Sequence, residues 1–193
     1  PSFPVVCLLD PHPRKPHFVL WTQIDPNDDW HVIDAEKIEG TPDDVAVKVG
    51  EIESDYGWGT VRRLMDPNMG RSPSGTDRET TWQDAFERAG LPFDLADDSE
   101  VGRSIVNEYL KPDVSTHRPR LLVDVRCMDV VYQMKRYLWD DHKSSVERDQ
   151  KQKAKMKHDD WPTLLKYLAN SQPTFRSLKS VGQIWRRNVG AYL

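Results

Sequence analysis

Two short strand-like runs in this chain each end on an Asp-Pro dipeptide: VVCLLD (Val5–Asp10) before Pro11, and VRRLMD (Val61–Asp66) before Pro67. Short runs of this kind, stopped by a turn dipeptide, read as strands. Between them lies a helix signal. Thr41-Pro42-Asp43-Asp44 supplies a capping hydroxyl, a proline in the first turn and acids at the positive end. Val45, Val49, Ile52 and Tyr56 then recur at helical spacing as a core-facing stripe, and Gly57 and Gly59 end it. A strand reached through a helix can pair in parallel with an earlier strand. Adjacent parallel strands bring their terminal aspartates to one sheet edge, the usual site position in open α/β sheets.

The remaining pattern fills in a mixed sheet. His17–Ile24 and Trp30–Ala35 read as strands around the turn DPNDD, which makes an antiparallel meander with the first strand. Pro67–Gly75 reads as loop, Thr81–Ala89 as a helix closed by Gly90, Asp94–Glu100 as acidic and exposed, and Val101–Leu110 as a helix stopped by Pro112. Leu121–Val125 is a fifth strand. A helix carrying Val130, Val131, Met134, Tyr137 and Leu138 follows, with Trp139–His142 turning extended. Ser144–Lys157 reads as a disordered loop or a mobile hairpin, and a last helix starts at Asp159 or Asp160 with Leu164, Leu165 and Leu168 inward. The fold class is α/β: a central mixed sheet, three antiparallel strands plus parallel strands, flanked by helices.

A chain of 193 residues, 37% hydrophobic and 30% charged, suits one soluble globular domain, 1–193, divided into a core at 1–170 and a basic extension at 171–193. No stretch approaches the roughly 18 apolar residues of a membrane helix, and no secretory leader is visible. The opening Pro-Ser-Phe-Pro, without an initiator Met and directly before a strand, reads as a piece cut from a longer protein. Cys7 and Cys127 sit in apolar stretches and read as buried thiols of a reducing compartment; the six histidines make no zinc-ligand spacing. The net charge of −4 hides an asymmetry: residues 143–193 hold 11 Lys/Arg against 4 Asp/Glu, or +7, which leaves −11 for the rest. Such a division suits a protein that holds phosphates with one surface and metal with another, although by charge alone an ordinary solvated basic face is the better reading.

The run HDDWPTLLKYL (His158–Leu168) adds the chemistry. Adjacent acids repel unless something binds them, and a divalent cation does so well. Asp10, Asp66 and the Asp159/Asp160 pair can supply the hard oxygen ligands of two divalent ions, which activate a water and stabilise the charge of phosphodiester cleavage. Singly, each acid is a turn residue or helix cap; the joint pattern makes a metal site. Arg14 and Lys15 follow Asp10 and either reach a DNA phosphate or solvate a turn. Lys151, Lys153, Lys155 and Lys157 alternate, so on a strand they form a basic ribbon along a DNA backbone, and otherwise a solvated loop. His158 is a possible accessory in proton transfer or phosphate contact, with a surface role as the plainer reading. Asp124 reads as a salt-bridge partner, Trp161 and Tyr167 as core, and Trp185, Arg71 and Arg78 as nucleic-acid or domain contacts.

These residues in this order resemble the C-terminal nuclease domain of the large terminase subunit of tailed bacteriophages. The similarity rests on VVCLLD, on RRLMDPN, on YLWDDHK, and on a lysine-rich link into an acidic helix start followed by Leu164-Leu165-Lys166-Tyr167 where the family commonly has an Ala-Leu-Arg-Tyr-like stretch. Thr163 departs from it, standing where many members carry another Asp. The resemblance implies an RNase H-like fold and a Mg²⁺- or Mn²⁺-dependent endonuclease that cuts concatemeric double-stranded DNA during packaging. Asp10, Asp66 and Asp159/Asp160 would hold two ions. It also implies an ATPase domain elsewhere in the full-length protein, since no GxxxxGK[ST] occurs here. The portal and small terminase subunit are the implied partners, and the host cytoplasm the location. The alternatives are an RNase H-like resolvase, integrase or RNA–DNA hybrid nuclease with the same acids, and a DNA-binding or assembly module without catalysis.

Overall fold

In the computed structural model, which describes residues 3–75, 79–144 and 159–176, strand β1 (Val5–Asp10) is buried along its whole length. Burial on both faces explains its continuous apolar run, where a half-exposed strand would alternate. Strand β2 (His17–Ile24) pairs antiparallel with β1, and β3 (Trp30–Ile38) antiparallel with β2, so the meander is present. Its DPNDD turn is tied by Asp25, whose carboxylate accepts the N–H groups of Asn27 at 2.8 Å and Asp29 at 3.0 Å.

Helix α1 (Pro42–Asp55) opens with a reciprocal cap between Thr41 and Asp44. It closes with the Trp58 N–H on the Glu53 carbonyl (2.9 Å) and the Gly57 N–H on that of Ser54 (3.1 Å), Gly57 taking the left-handed turn at φ 64°. Val45, Val49 and Ile52 are buried as expected. Tyr56 is not: it caps the helix beyond its last inward turn, is 51% exposed, and stacks on Trp58. Strand β4 (Thr60–Met65) then lies parallel to β1, and the Asp66 N–H extends the ladder to the Leu9 carbonyl at 2.9 Å.

Four further sequence expectations are corrected. The loop after Met65 contains a one-turn helix, α2 (Pro67–Gly70), because Asp66 caps it. Following α3 (Trp82–Arg88), the acidic stretch is not all exposed chain: β5 (Asp94–Leu95) pairs in parallel with β4, anchored by buried Leu91 and Phe93. After α4 (Val101–Leu110), strand β6 stops at Val123 (Leu121–Val123), because the Asp124 carboxylate accepts the Arg126 N–H and turns the chain. Helix α5 (Met128–Ser144) does not turn extended at Trp139, since no glycine or proline interrupts it. Last comes α6 (Asp160–Asn170).

The sheet order is β5-β4-β1-β2-β3-β6. Alternation divides the strands between two cores. Val6, Leu8, Phe18, Leu20 and Leu64 face α4, α5 and α6, whereas Val5, Cys7, Leu9, Val19 and Met65 face α1 and α3. Cys7 and Cys127 are buried free thiols. Among the described residues no helix is long and apolar enough to cross a membrane.

Candidate metal centre

Strand parity aims the first two carboxylates. Asp10 lies two residues beyond Leu8 and Asp66 two beyond Leu64, so both continue the series that faces α6, at the carboxyl ends of neighbouring parallel strands. Each is nearly buried, at 7% and 8% exposure. Helix α6 reaches this corner because Trp161, Leu164, Leu165 and Leu168 form an apolar stripe that packs across the sheet. The Trp161 ring meets Phe18 edge-on at 4.8 Å, and Phe18 is the register partner of Asp10. Asp160, the first residue of α6, therefore lands beside Asp10.

Two supports fix that first turn. Gln133 of α5, buried at 5% exposure, accepts the Trp161 N–H at 3.0 Å and donates its amide to Asp160 Oδ2 at 3.4 Å. Helix α4 approaches closely from behind, since a Cβ on Gly102 would lie 2.4 Å from the Lys166 carbonyl oxygen.

His12 completes the corner. Its Nε2 lies 3.3 Å from Asp10 Oδ2 and 3.4 Å from Asp160 Oδ1. The atom is buried between the two carboxylates without a well-directed hydrogen bond to either. The turn that carries it is pinned by His17, whose Nδ1 accepts the His12 backbone N–H (3.2 Å) while Nε2 donates to the Gly40 carbonyl (3.1 Å). Burial holds His17 below its ordinary pKa, which keeps it in that neutral tautomer. Ligand atoms of Asp10, His12 and Asp160 all lie within 4.8 Å of one another.

The electrostatics are those of a site short of positive charge. Burial, against the pull of His12, raises Asp10 above the usual carboxylate range, and the charges of Asp66 and Asp160 push the same way. The contacts with Asp10 and then Asp160 push His12 up to about 9. For Asp160, burial works upward, but His12 and the nearby Lys15 bring it down overall. Two carboxylates suit Mg²⁺ or Mn²⁺, and a buried imidazole nitrogen aimed between them suits a first-row ion such as Mn²⁺, so the residues fit a divalent cation.

Asp66 lies outside that tight group but close enough for its charge to act on Asp10. Its Oδ1 accepts the N–H groups of Asn68 and Met69, both at 2.7 Å, and its Oδ2 accepts the Tyr167 hydroxyl. Asp159 is the N-cap of α6; its carbonyl takes the Thr163 N–H at 2.9 Å, its side chain makes no cap bond, and it does not join the group. Arg14 and Lys15 are exposed in the β1–β2 turn, and Lys15 acts electrostatically on Asp160. Lys151, Lys153, Lys155, Lys157, His158, Arg78 and Trp185 lie outside the described residues. Asp124 is a salt-bridge residue as expected, 3.0 Å from Arg126. Trp161 is core; Tyr167 is core with its hydroxyl on Asp66.

Sequence reasoning missed His12, Gln133 and the hydroxyl of Tyr167. Two faint signals existed. Gln133 is a polar residue on the Val130–Met134 apolar stripe, and Tyr167 stands seven residues after Asp160, on the same helix face. His12, in a proline-rich turn, carried none.

No protein-family model matches the chain, and no curated protein matches it. Solved structures do. The large terminase nuclease domain of P22 aligns with a TM-score of 0.58 at 16% identity, covering 92% of this chain and 87% of that one. A large terminase from a thermophilic bacteriophage aligns with a TM-score of 0.58 at 12% identity, covering 89% of this chain. This chain spans 39% of that longer protein. With its six-stranded mixed sheet between helical layers, the chain has the RNase H-like fold of a large-terminase nuclease domain.

Proposed function

We propose that this chain is a divalent-metal-dependent endonuclease domain that cuts double-stranded DNA, in the role of a large-terminase nuclease during phage genome packaging. One observation carries the reading: in a terminase nuclease fold, Asp10 and Asp66, at the carboxyl ends of adjacent parallel strands, meet Asp160 at one corner, with His12 Nε2 lying 3.3 and 3.4 Å from Asp10 and Asp160.

Asp10 and Asp160 hold the metal between them, with His12 as a neighbouring nitrogen donor. Asp66 serves the second of two ions, and Asp159, the outward member of its pair, contributes less than Asp160. When bound, Mg²⁺ or Mn²⁺ ions activate water and stabilise the charge that develops on the phosphate. The protein's own part is to fix these side chains. Strand ends set Asp10 and Asp66, and the Gln133 clamp sets Asp160. Lys15 and Arg14, on the exposed turn beside the corner, and Lys151, Lys153, Lys155 and Lys157 supply backbone phosphate contacts. His158 is an accessory beside Asp159. An ATPase domain of the full-length protein, the portal and the small subunit are the partners, and the host cytoplasm is the setting.

Plasmid digestion with Mn²⁺ tests this, comparing the wild type with Asp66→Asn and Asp10→Asn. Cleavage by the wild type and none by folded variants is expected. Equal cleavage by all three, or none by the wild type, would sink the assignment. An RNA–DNA hybrid in the same panel separates the duplex-DNA reading from a hybrid nuclease, which would leave the plasmid intact.

A further inference from the structure

The Asp66 carboxylate is almost fully used by the protein itself. A carboxylate has about four lone-pair positions. The Asn68 and Met69 N–H groups take the two on Oδ1, and the Tyr167 hydroxyl takes one on Oδ2. Only one position remains, on Oδ2, and among the described residues no cationic side chain pairs with it.

Tyr167 is fitted for this contact. It is 2% exposed, so it carries no surface role. Its hydroxyl donates to Asp66 Oδ2. Of its other acidic neighbours, Asp10 lies against His12, and Asp98 is served by Lys166 Nζ and by Asn68 Nδ2 (3.1 Å). The single hydroxyl proton is directed at Asp66 Oδ2. The adjacent residues Lys166 and Tyr167 thus divide two acids between them, a cation for Asp98 and a neutral donor for Asp66.

We propose that Tyr167 is a positioning residue that fixes the Asp66 carboxylate so that one Oδ2 lone pair is presented to a metal ion. The inference rests on the nuclease reading above. Helix α6 then sets two ligands at once: Asp160 directly from its first turn, and Asp66 through a hydroxyl seven residues later on the same face. The spacing between these acids follows from the seating of one helix. A neutral donor suits the task, because a lysine at Tyr167 would compete with the cation for the same oxygen.

The test is Mn²⁺ binding to the purified chain by calorimetry, with the Mn²⁺ dependence of plasmid cleavage alongside. Tyr167→Phe keeps the ring and its packing. Its affinity for Mn²⁺ is expected to fall roughly tenfold or more, as for other outer partners of metal ligands, with cleavage restored at high Mn²⁺. In an Asp66→Asn background the same substitution is expected to change nothing further. Wild-type affinity in Tyr167→Phe would overturn the proposal. An equal loss in both backgrounds would also overturn it, since that is what a general loosening of α6 and Asp160 produces. If the wild type binds no Mn²⁺, the nuclease reading falls with it; if the wild type binds and Tyr167→Phe matches it, only this inference falls.

Discussion

At the scale of single residues, the neighbours Asp159 and Asp160 part company. Asp160 sits against His12 and Gln133, partly buried, whereas Asp159 caps the helix with its carbonyl and keeps its side chain free of cap bonds. Asp160→Asn is expected to weaken Mn²⁺ binding by more than the roughly 10–100-fold of an outer-shell partner, and Asp159→Asn by far less. Calorimetric titration of both decides it, and the reverse order would reassign the ligand. The distinction was not legible in the sequence. Adjacent residues on a helix diverge by about 100°, so which one faces the sheet depends on how the helix is seated, and two identical letters carry no mark of that. His12 was hidden for a related reason: a residue in a turn has no periodicity, and only the closed turn brings its ring to Asp10.

At the scale of elements, α6 is the part on which the site depends. Its apolar stripe was readable, and so were the two strands that end in aspartate, because spacing of apolar residues is a local property. Its supports were not. Gly102 looks like an unremarkable small residue in α4, yet a Cβ there would lie 2.4 Å from the Lys166 carbonyl oxygen and 2.7 Å from the Asn170 side chain. Backbone cannot give way as a flexible side chain can. Gly102→Ala is therefore expected to destabilise the fold by about 1–3 kcal/mol through overpacking, despite the better helix propensity of alanine. Urea denaturation checks the sign; a stabilised variant would mean that α4 and α6 are not held in contact. Because α6 carries Asp160 and Tyr167, the same variant is expected to bind Mn²⁺ more weakly.

At the scale of the whole molecule, charge is divided: residues 143–193 carry +7 and the rest −11. An acidic body repels DNA, so a basic segment must hold it if duplex is the substrate. Replacing Lys151, Lys153, Lys155 and Lys157 with Ala is expected to weaken duplex binding and to flatten its dependence on salt, by up to about 0.9 in the logarithmic slope for each phosphate no longer neutralised. Binding measured over a range of salt concentrations tests this, and an unchanged slope would count against the basic ribbon. The sequence by itself determined most of the alternation of strands and helices and the ending of two strands at Asp10 and Asp66, and it allowed those strands to pair in parallel at one sheet edge. Each follows from local apolar spacing, caps and turns, together with the handedness of a crossover. Only the tertiary structure decided that His12 closes the corner, that Asp160 is the inward member of its pair, and that Tyr167 and Gln133 hold the acids in place. Those are contacts between residues far apart in the chain or placed by a turn, and their partners are chosen by packing distance and direction, which no local pattern encodes.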